Sequence, residues 1–424
     1  MEKIVLENID EVIYHDVTDE GLNIYMYVNE KVNNFYMTLN VKYGSIHTEF
    51  KPKGVSKFIK VPDGIAHFLE HMMFYQPDKT TAHEYFNKLG SAINACTTND
   101  FTFYEVFASN YFKENLNYLL DYVYTPYYTK ENIKTEKGVI TEEIKMYEDN
   151  PDFKMLMKTM ECIWHKNKRK NLISGTTQDI KSITVDDLYT VYNNFYHPKN
   201  MFMVISGNFN PYEASVIIKE NLASKTFSTY ERPLIKEEKE SNKVVIKQTT
   251  QKAMVSIPKV KIAVKLPLVL FKDYPKDELK MYLNIFLKNQ FGLTSQIHDI
   301  LFTNGLVNTP LAYNTSIYEN YVILTLSASS NYIEEVIKII NEGLTNNYVD
   351  ANLLNRSKKG LISTLVLAYD DIEEVNNIIQ DDIITFNQVI TDSFKKINSL
   401  NIEDMNKIVD LLNFNNKTTI VFKA

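Results

Sequence analysis

Apolar and polar positions alternate from Tyr36 to Val41, and Tyr321–Leu326 is a second β-rich run, so both stretches predict strands. Asn115–Val123 and Tyr332–Leu344 instead carry apolar residues at a period near 3.6, which predicts amphipathic helices. In each half of the chain strands come first and helices follow. That order predicts an α+β architecture of two α/β sandwiches. The stretch Thr135–Tyr147 is also helical in period. On it Glu136, Val139, Ile140, Glu143, Met146 and Tyr147 share one mostly apolar face. Glu142 falls on the other face, with Gly138, Lys145 and Asp149.

The pattern repeats. Ala108-Ser-Asn-Tyr111 returns as Ala328-Ser-Ser-Asn-Tyr332, and Lys137-Gly-Val-Ile-Thr141 returns as Lys359-Gly-Leu-Ile-Ser363. Thr184-Val-Asp-Asp-Leu188, with its helix and the strand Met201–Ser206, returns as Asn401-Ile-Glu-Asp-Met405 and Thr418–Phe422. Three matches in order at nearly one offset indicate two similar halves. The charged segment between them lacks apolar periodicity and is expected to be a linker. The expected organisation is therefore residues 1–228, a linker at 229–246, and residues 247–424.

Chemistry concentrates in His67-Phe-Leu-Glu70-His71. Positions i, i+3 and i+4 are neighbours on a helix surface, so both imidazoles can reach one ion with a carboxylate beside them. This His-x-x-Glu-His order is the inverted zincin motif. Its flanks Ile65, Ala66, Phe68, Leu69, Met72, Met73 and Phe74 are apolar, so the helix is expected to be buried, where His and Glu need partners. A third ligand is required, and a carboxylate on an inward helix face is costly unless it meets a cation. Glu143 is therefore chosen over Glu142. Glu136, two turns earlier on the same side, is the candidate acceptor for a ligand imidazole N–H. At the repeat offset Glu143 maps to Leu365 and Glu136 to Lys358, and the segment matching the motif, near Leu283–Gln290, has no histidine. The second half is expected to hold no metal.

The motif followed by Glu136-x6-Glu143 resembles the pitrilysin/insulinase family of zinc peptidases, which includes mitochondrial processing peptidase. Tyr43-Gly44-Ser45, Asn94-Ala95-x-Thr97, Thr102, Tyr104, Gly175-Thr176 and Phe195-Tyr196-His197-Pro198 through Gly207 carry the resemblance further. Asp63-Gly64-Ile65-Ala66 and Met146-Tyr147-x-Asp149-Asn150-Pro151 are similar to the bacterial YmfH-like branch. The resemblance implies two homologous α/β sandwich domains, mostly antiparallel sheet with helices on one side, facing each other around a chamber. It implies Zn2+ held by His67, His71 and Glu143, with Glu70 as general base. It also implies an edge strand at Asn94 and Ala95 on which a substrate peptide is laid. Active single-chain members carry an Arg and a Tyr in the second half, where this chain has Phe302 and Asn308. The expected function is therefore a zinc endopeptidase for short or unfolded peptides, acting as the zinc-bearing subunit of a heterodimer whose homologous partner supplies that pair, with a homodimer as the other arrangement. Tyr313 or His298 is the candidate substitute within the chain itself, though packing is the favoured reading of each. A catalytically silent, zinc-containing scaffold that holds peptides is the alternative.

Composition narrows the class. The 424 residues are 44% hydrophobic, enough for more than one core, and the net charge of −7 offers no electrostatic footprint for nucleic acid. The two cysteines, Cys96 and Cys162, make no disulfide framework. Glu2, Lys3, Glu7 and Glu11 interrupt any secretory h-region, and no apolar run approaches the ~18 residues of a membrane span. The expected location is cytoplasmic. Cys162-x-x-His165 has ligand-like spacing without a second pair, which favours core packing, and His165–Lys170 reads as a solvated basic loop.

Overall fold

In a computed structural model, which describes residues 1–7, 9, 11–345 and 349–424, the chain forms two compact units that are interleaved in sequence. The first comprises residues 1–146, 171–238 and 367–391. The second comprises residues 147–170, 239–366 and 392–424.

The first unit contains the strands β1 (Glu2–Val5), β2 (Val12–Val17), β3 (Asn23–Val28), β4 (Phe35–Val41), β5 (Glu49–Lys51), β6 (Ile59–Lys60), β7 (Ala92–Thr97), β8 (Thr102–Ala108), β9 (Met201–Gly207) and β10 (Leu234–Ile235). Seven make one sheet in the order β1-β2-β3-β9-β4-β8-β7, in which only the β3–β9 pair is parallel. β10, inside the segment expected to be a linker, pairs with β5 in a small three-stranded sheet. The second unit holds β11 (Gln248–Lys252), β12 (Lys259–Pro267), β13 (Ala312–Ile317), β14 (Tyr321–Ser329) and β15 (Lys417–Lys423), in the order β11-β15-β12-β14-β13. Its β11–β15 pair is parallel and the others antiparallel. That is the order and sense of β3-β9-β4-β8-β7. The repeat in the sequence is thus a repeat of topology, and β9 and β15, matched by sequence, occupy the same place.

β4 alternates in sequence, yet all seven of its residues are buried. One face, with Met37, Leu39 and Val41, joins the main core beneath the helices Ile65–Met72, Phe112–Val123 and Val185–Phe195. The other face meets the helix Ile372–Phe386, where Val375, Ile379 and Ile383 pack on Ile13, Tyr27, Phe202 and Val204. Polar groups fix that helix to the sheet: Thr38 Oγ1 donates to Asn376 Oδ1 at 2.8 Å, and Ser206 Oγ donates to the Ile372 carbonyl at 2.6 Å. The equivalent helix of the other half, Pro151–Ile163, packs in the second unit, where Met155 and Cys162 meet Ile420 and Phe422. Each sheet is therefore covered by a helix from the other stretch of sequence.

Two glycines set where the motif helix starts. Gly64 precedes Ile65–Met72 at φ +84°, and a Cβ there would stand 2.3 Å from the Ser174 carbonyl oxygen. Gly175, at φ +69°, is packed reciprocally on the Asp63 carbonyl, 2.6 Å from where its own Cβ would be. Side chains hold the same two loops together, since Asn171 Nδ2 donates to Asp63 Oδ2 at 2.7 Å. A left-handed conformation costs a residue with a Cβ about 1–2 kcal/mol, before any clash with backbone. Gly64→Ala is expected to lower the thermal midpoint of unfolding, and an unchanged midpoint would show that the loops separate freely.

Candidate metal centre

The helix Ile65–Met72 is buried through Ile65, Ala66, Phe68, Leu69 and Met72, and presents His67 and His71 one turn apart. Their rings lie 4.6 Å apart between centroids. The long helix Lys130–Asp149 brings Glu143 to both of them: Oε1 is 3.6 Å from His67 Nε2 and Oε2 is 3.5 Å from His71 Nε2. One ligand atom from each of the three residues falls within a 4.8 Å group, the one such group among the described residues. Donors held 2.0–2.2 Å from a tetrahedral zinc stand roughly 3.3–3.6 Å apart, so the two carboxylate–imidazole separations suit that ion. Glu142 points away and pairs with Lys145 at 2.7 Å. The buried stripe of the long helix is Ile133, Glu136, Ile140 and Ile144, whereas Val139, Met146 and Tyr147, grouped with Glu143 by period, are exposed.

Glu136 is buried and bridges two partners. Its Oε1 lies 2.8 Å from His71 Nδ1, and Tyr75 O–H donates to its Oε2 at 2.7 Å. An ionised carboxylate only accepts, so the His71 proton sits on Nδ1 and the lone pair of Nε2 is left for an ion. His67 Nδ1 is buried with no such acceptor. Glu70, next to His71, is also buried, and Thr97 Oγ1 donates to its Oε2 at 2.5 Å. Thr102 stands behind Thr97, with the two hydroxyls 3.4 Å apart.

Charge explains the titration of these groups. Burial alone would lower the His71 pKa, but the Glu136 hydrogen bond and the charges of Glu70, Glu136 and Glu143 outweigh it and raise it. Glu136 is held low although burial opposes this, because His71 and Tyr75 donate to it. Glu143 is held low chiefly by His67. Burial and Glu136 push the Tyr75 phenol up to about 12. Three carboxylates around two imidazoles are an environment for a divalent cation.

Asn94 and Ala95 lie on β7, the last strand of its sheet, hydrogen-bonded to β8 on one side only. Thr97 at the end of β7 is the residue that touches Glu70, so the edge strand runs up to that carboxylate. In the second unit Phe302 is 57% exposed, and Asn308 is exposed too. His298 is buried and stacked on Phe302, and Tyr313 is half-buried against its own core. Cys162 is core packing. Thr97 and Tyr75 are absent from the candidate residues of the sequence. Only the run Asn94–Thr97 hinted at the first.

The model for the insulinase peptidase family, M16, matches residues 26–177, and that for the M16 inactive domain matches residues 182–361. The chain belongs to peptidase family M16. It is 31% identical over 380 residues to a Bacillus subtilis protein named "uncharacterized zinc protease YmfH", covering 88% of each chain. A second Bacillus subtilis zinc protease, YmxG, is 26% identical over 72% of this chain and 74% of that one. Among solved structures, an M16-like peptidase from Alicyclobacillus acidocaldarius superposes with a TM-score of 0.91 at 23% identity over 99% of each chain. Pitrilysin superposes with a TM-score of 0.77 at 16% identity, over all of this chain and 46% of that one. The two-domain α+β architecture is thus that of the family, and its homologues are named zinc proteases. No helix among the described residues is long and apolar enough to cross a membrane.

Proposed function

We propose that this chain is a zinc-dependent endopeptidase for short or unfolded peptides, with zinc bound by His67, His71 and Glu143. The observation that carries the reading is the convergence of both Nε2 atoms and the Glu143 carboxylate, with Glu70 on the same helix turn. Bound zinc supplies Lewis acidity, lowering the pKa of a coordinated water and polarising a carbonyl. Glu70 takes the proton of the attacking water and hands it to the leaving amine. Thr97 fixes one oxygen of Glu70, which leaves the other for that transfer. The free edge of β7 receives the peptide as an added strand along Asn94 and Ala95, so backbone hydrogen bonds supply affinity whatever the sequence.

Phe302 and Asn308 stand where the family resemblance calls for Arg and Tyr, and neither donates to an oxyanion as that pair does. A donor of that kind contributes about 2.7–4 kcal/mol. The zinc-bearing chain therefore works with a homologous partner that supplies the pair. Both cysteines are free, which supports a reducing, cytoplasmic setting.

The test is cleavage of a mixed peptide library read by mass spectrometry, with the chain alone and with a homologous partner. Chelator-sensitive cleavage only with the partner supports the split enzyme, and cleavage by the chain alone removes the need for one. Peptide binding with zinc but no cleavage moves the reading to a scaffold. Glu136→Gln tests the arrangement behind His71. Loss of such a partner typically weakens metal binding 10–100-fold, so zinc affinity measured by chelator competition is expected to fall by about that much.

A further inference from the structure

The free edge of β7 has two sides, and they differ in chemistry. Ile93, Ala95 and Thr97 face the motif helix and the main core. Ala92, Asn94 and Cys96 face the other way and are exposed. Register places Phe107 opposite Ala92, Glu105 opposite Asn94 and Phe103 opposite Cys96. The outward face of β7 and β8 is therefore a lane of small side chains beside a carboxylate flanked by two phenylalanines.

Glu105 is half-buried and accepts a hydrogen bond from the Tyr36 hydroxyl, yet it has no cationic partner among the described residues. The Tyr36 phenol is pushed far up by burial, by Glu105, and by a second negative charge on Glu373 of the helix Ile372–Phe386. Two carboxylates, Glu105 and Glu373, thus face Tyr36 on this side of the sheet edge.

A strand added to β7 puts every second side chain on that outward face. The side chain level with Asn94 first meets Asn94, one strand spacing away. Glu105 lies one spacing further, roughly 9.5 Å from the added backbone. Only a long side chain spans that distance, and a cation both hydrogen-bonds the carboxylate and neutralises its charge. Lysine and arginine do both, laying an apolar stem over the small residues of β7 and placing the charge at Glu105. We propose that Glu105 is a specificity-determining residue that selects lysine or arginine at the peptide position opposite Asn94. This rests on the strand-addition reading above.

The experiment scans lysine, arginine, glutamine and glutamate through each position of a peptide series. Cleavage by the active protein is profiled, and the same peptides are bound to the chelator-treated chain with fluorescence anisotropy as readout. One position, at a fixed distance from the cut, is expected to favour a basic residue roughly tenfold, equivalent to about 1.4 kcal/mol. Glu105→Gln flattens that preference and Glu105→Lys inverts it towards glutamate. A profile blind to charge at every position, or a basic preference that survives in Glu105→Lys, overturns the proposal. If no peptide is cut, the peptidase reading fails, but the anisotropy series still decides: lysine peptides binding better, with inversion in Glu105→Lys, support the subsite. Equal binding overturns it.

Discussion

Glu70→Gln is expected to reduce peptide cleavage by roughly a hundred- to ten-thousand-fold while zinc stays bound. General acid–base catalysis contributes about that factor, and Glu70 lies outside the three-residue ligand group. The substitution preserves shape, and the amide oxygen still accepts from Thr97, so neither the helix nor its packing changes. The loss should therefore fall on kcat, with zinc stoichiometry and thermal stability close to the parent. Elemental analysis alongside steady-state kinetics separates the outcomes. Zinc lost together with activity would make Glu70 part of the ion's environment. Retained activity would end its role as a base.

The second large effect concerns stability. Lys265 is fully buried, and its Nζ donates to the Ile163 carbonyl at 3.0 Å and to Glu240 Oε1 at 2.8 Å. The ammonium also lies over the rings of Trp164 and Tyr321, at 4.5 and 4.7 Å from their centroids. Glu240 in turn accepts the backbone N–H groups of His165, Lys166 and Asn167 at 2.7–2.9 Å. Removing one member of a buried pair strands the other charge, which typically costs about 3–5 kcal/mol. Glu240→Ala is expected to destabilise the second unit by that order, read as a lower denaturant midpoint. An effect under about 1 kcal/mol would show the pair to be dispensable.

The pair also sets a pH dependence. Burial opposes ionisation of Glu240, but Lys265 and the three N–H groups hold its carboxyl down to about 2 from an ordinary 4.5. A depressed carboxyl stabilises the fold above its unfolded pKa. That contribution, about 3 kcal/mol, is present above pH ~4.5 and lost as pH falls towards ~2. Burial lowers the pKa of Lys265, and Glu240 opposes that shift. Acid unfolding of the second unit should therefore shift to higher pH in Glu240→Gln.

What was legible in the sequence was local or periodic. His67, Glu70 and His71 come together because one helical turn brings them together, and the period of the next long helix separates Glu143 from Glu142. The repeat showed through because β9 and β15 keep the same neighbours in their sheets. Partners supplied across long stretches of chain were not legible. Tyr75 is 61 residues from Glu136 and Thr97 is 27 from Glu70, and neither separation leaves a periodic trace. Glu240 sits in a charged run whose composition looks solvated, yet it is one of the most buried carboxylates of its unit, because its partners come from a loop 73–75 residues away. Amphipathic period likewise could not say which sheet each helix covers.

The reciprocal exchange of helices bears on how the protein is made. The outer face of the first sheet is complete in sequence once β9 ends at Gly207, but the helix that covers it begins only at Ile372. A ribosome adding about 5–20 residues per second needs roughly 8–33 s to travel between those points. Throughout that interval Tyr27, Phe202 and Val204 lack their partners Val375, Ile379 and Ile383. The nascent first sheet thus carries an uncovered apolar face for that time, and a message truncated between the two points is expected to yield a product prone to aggregate.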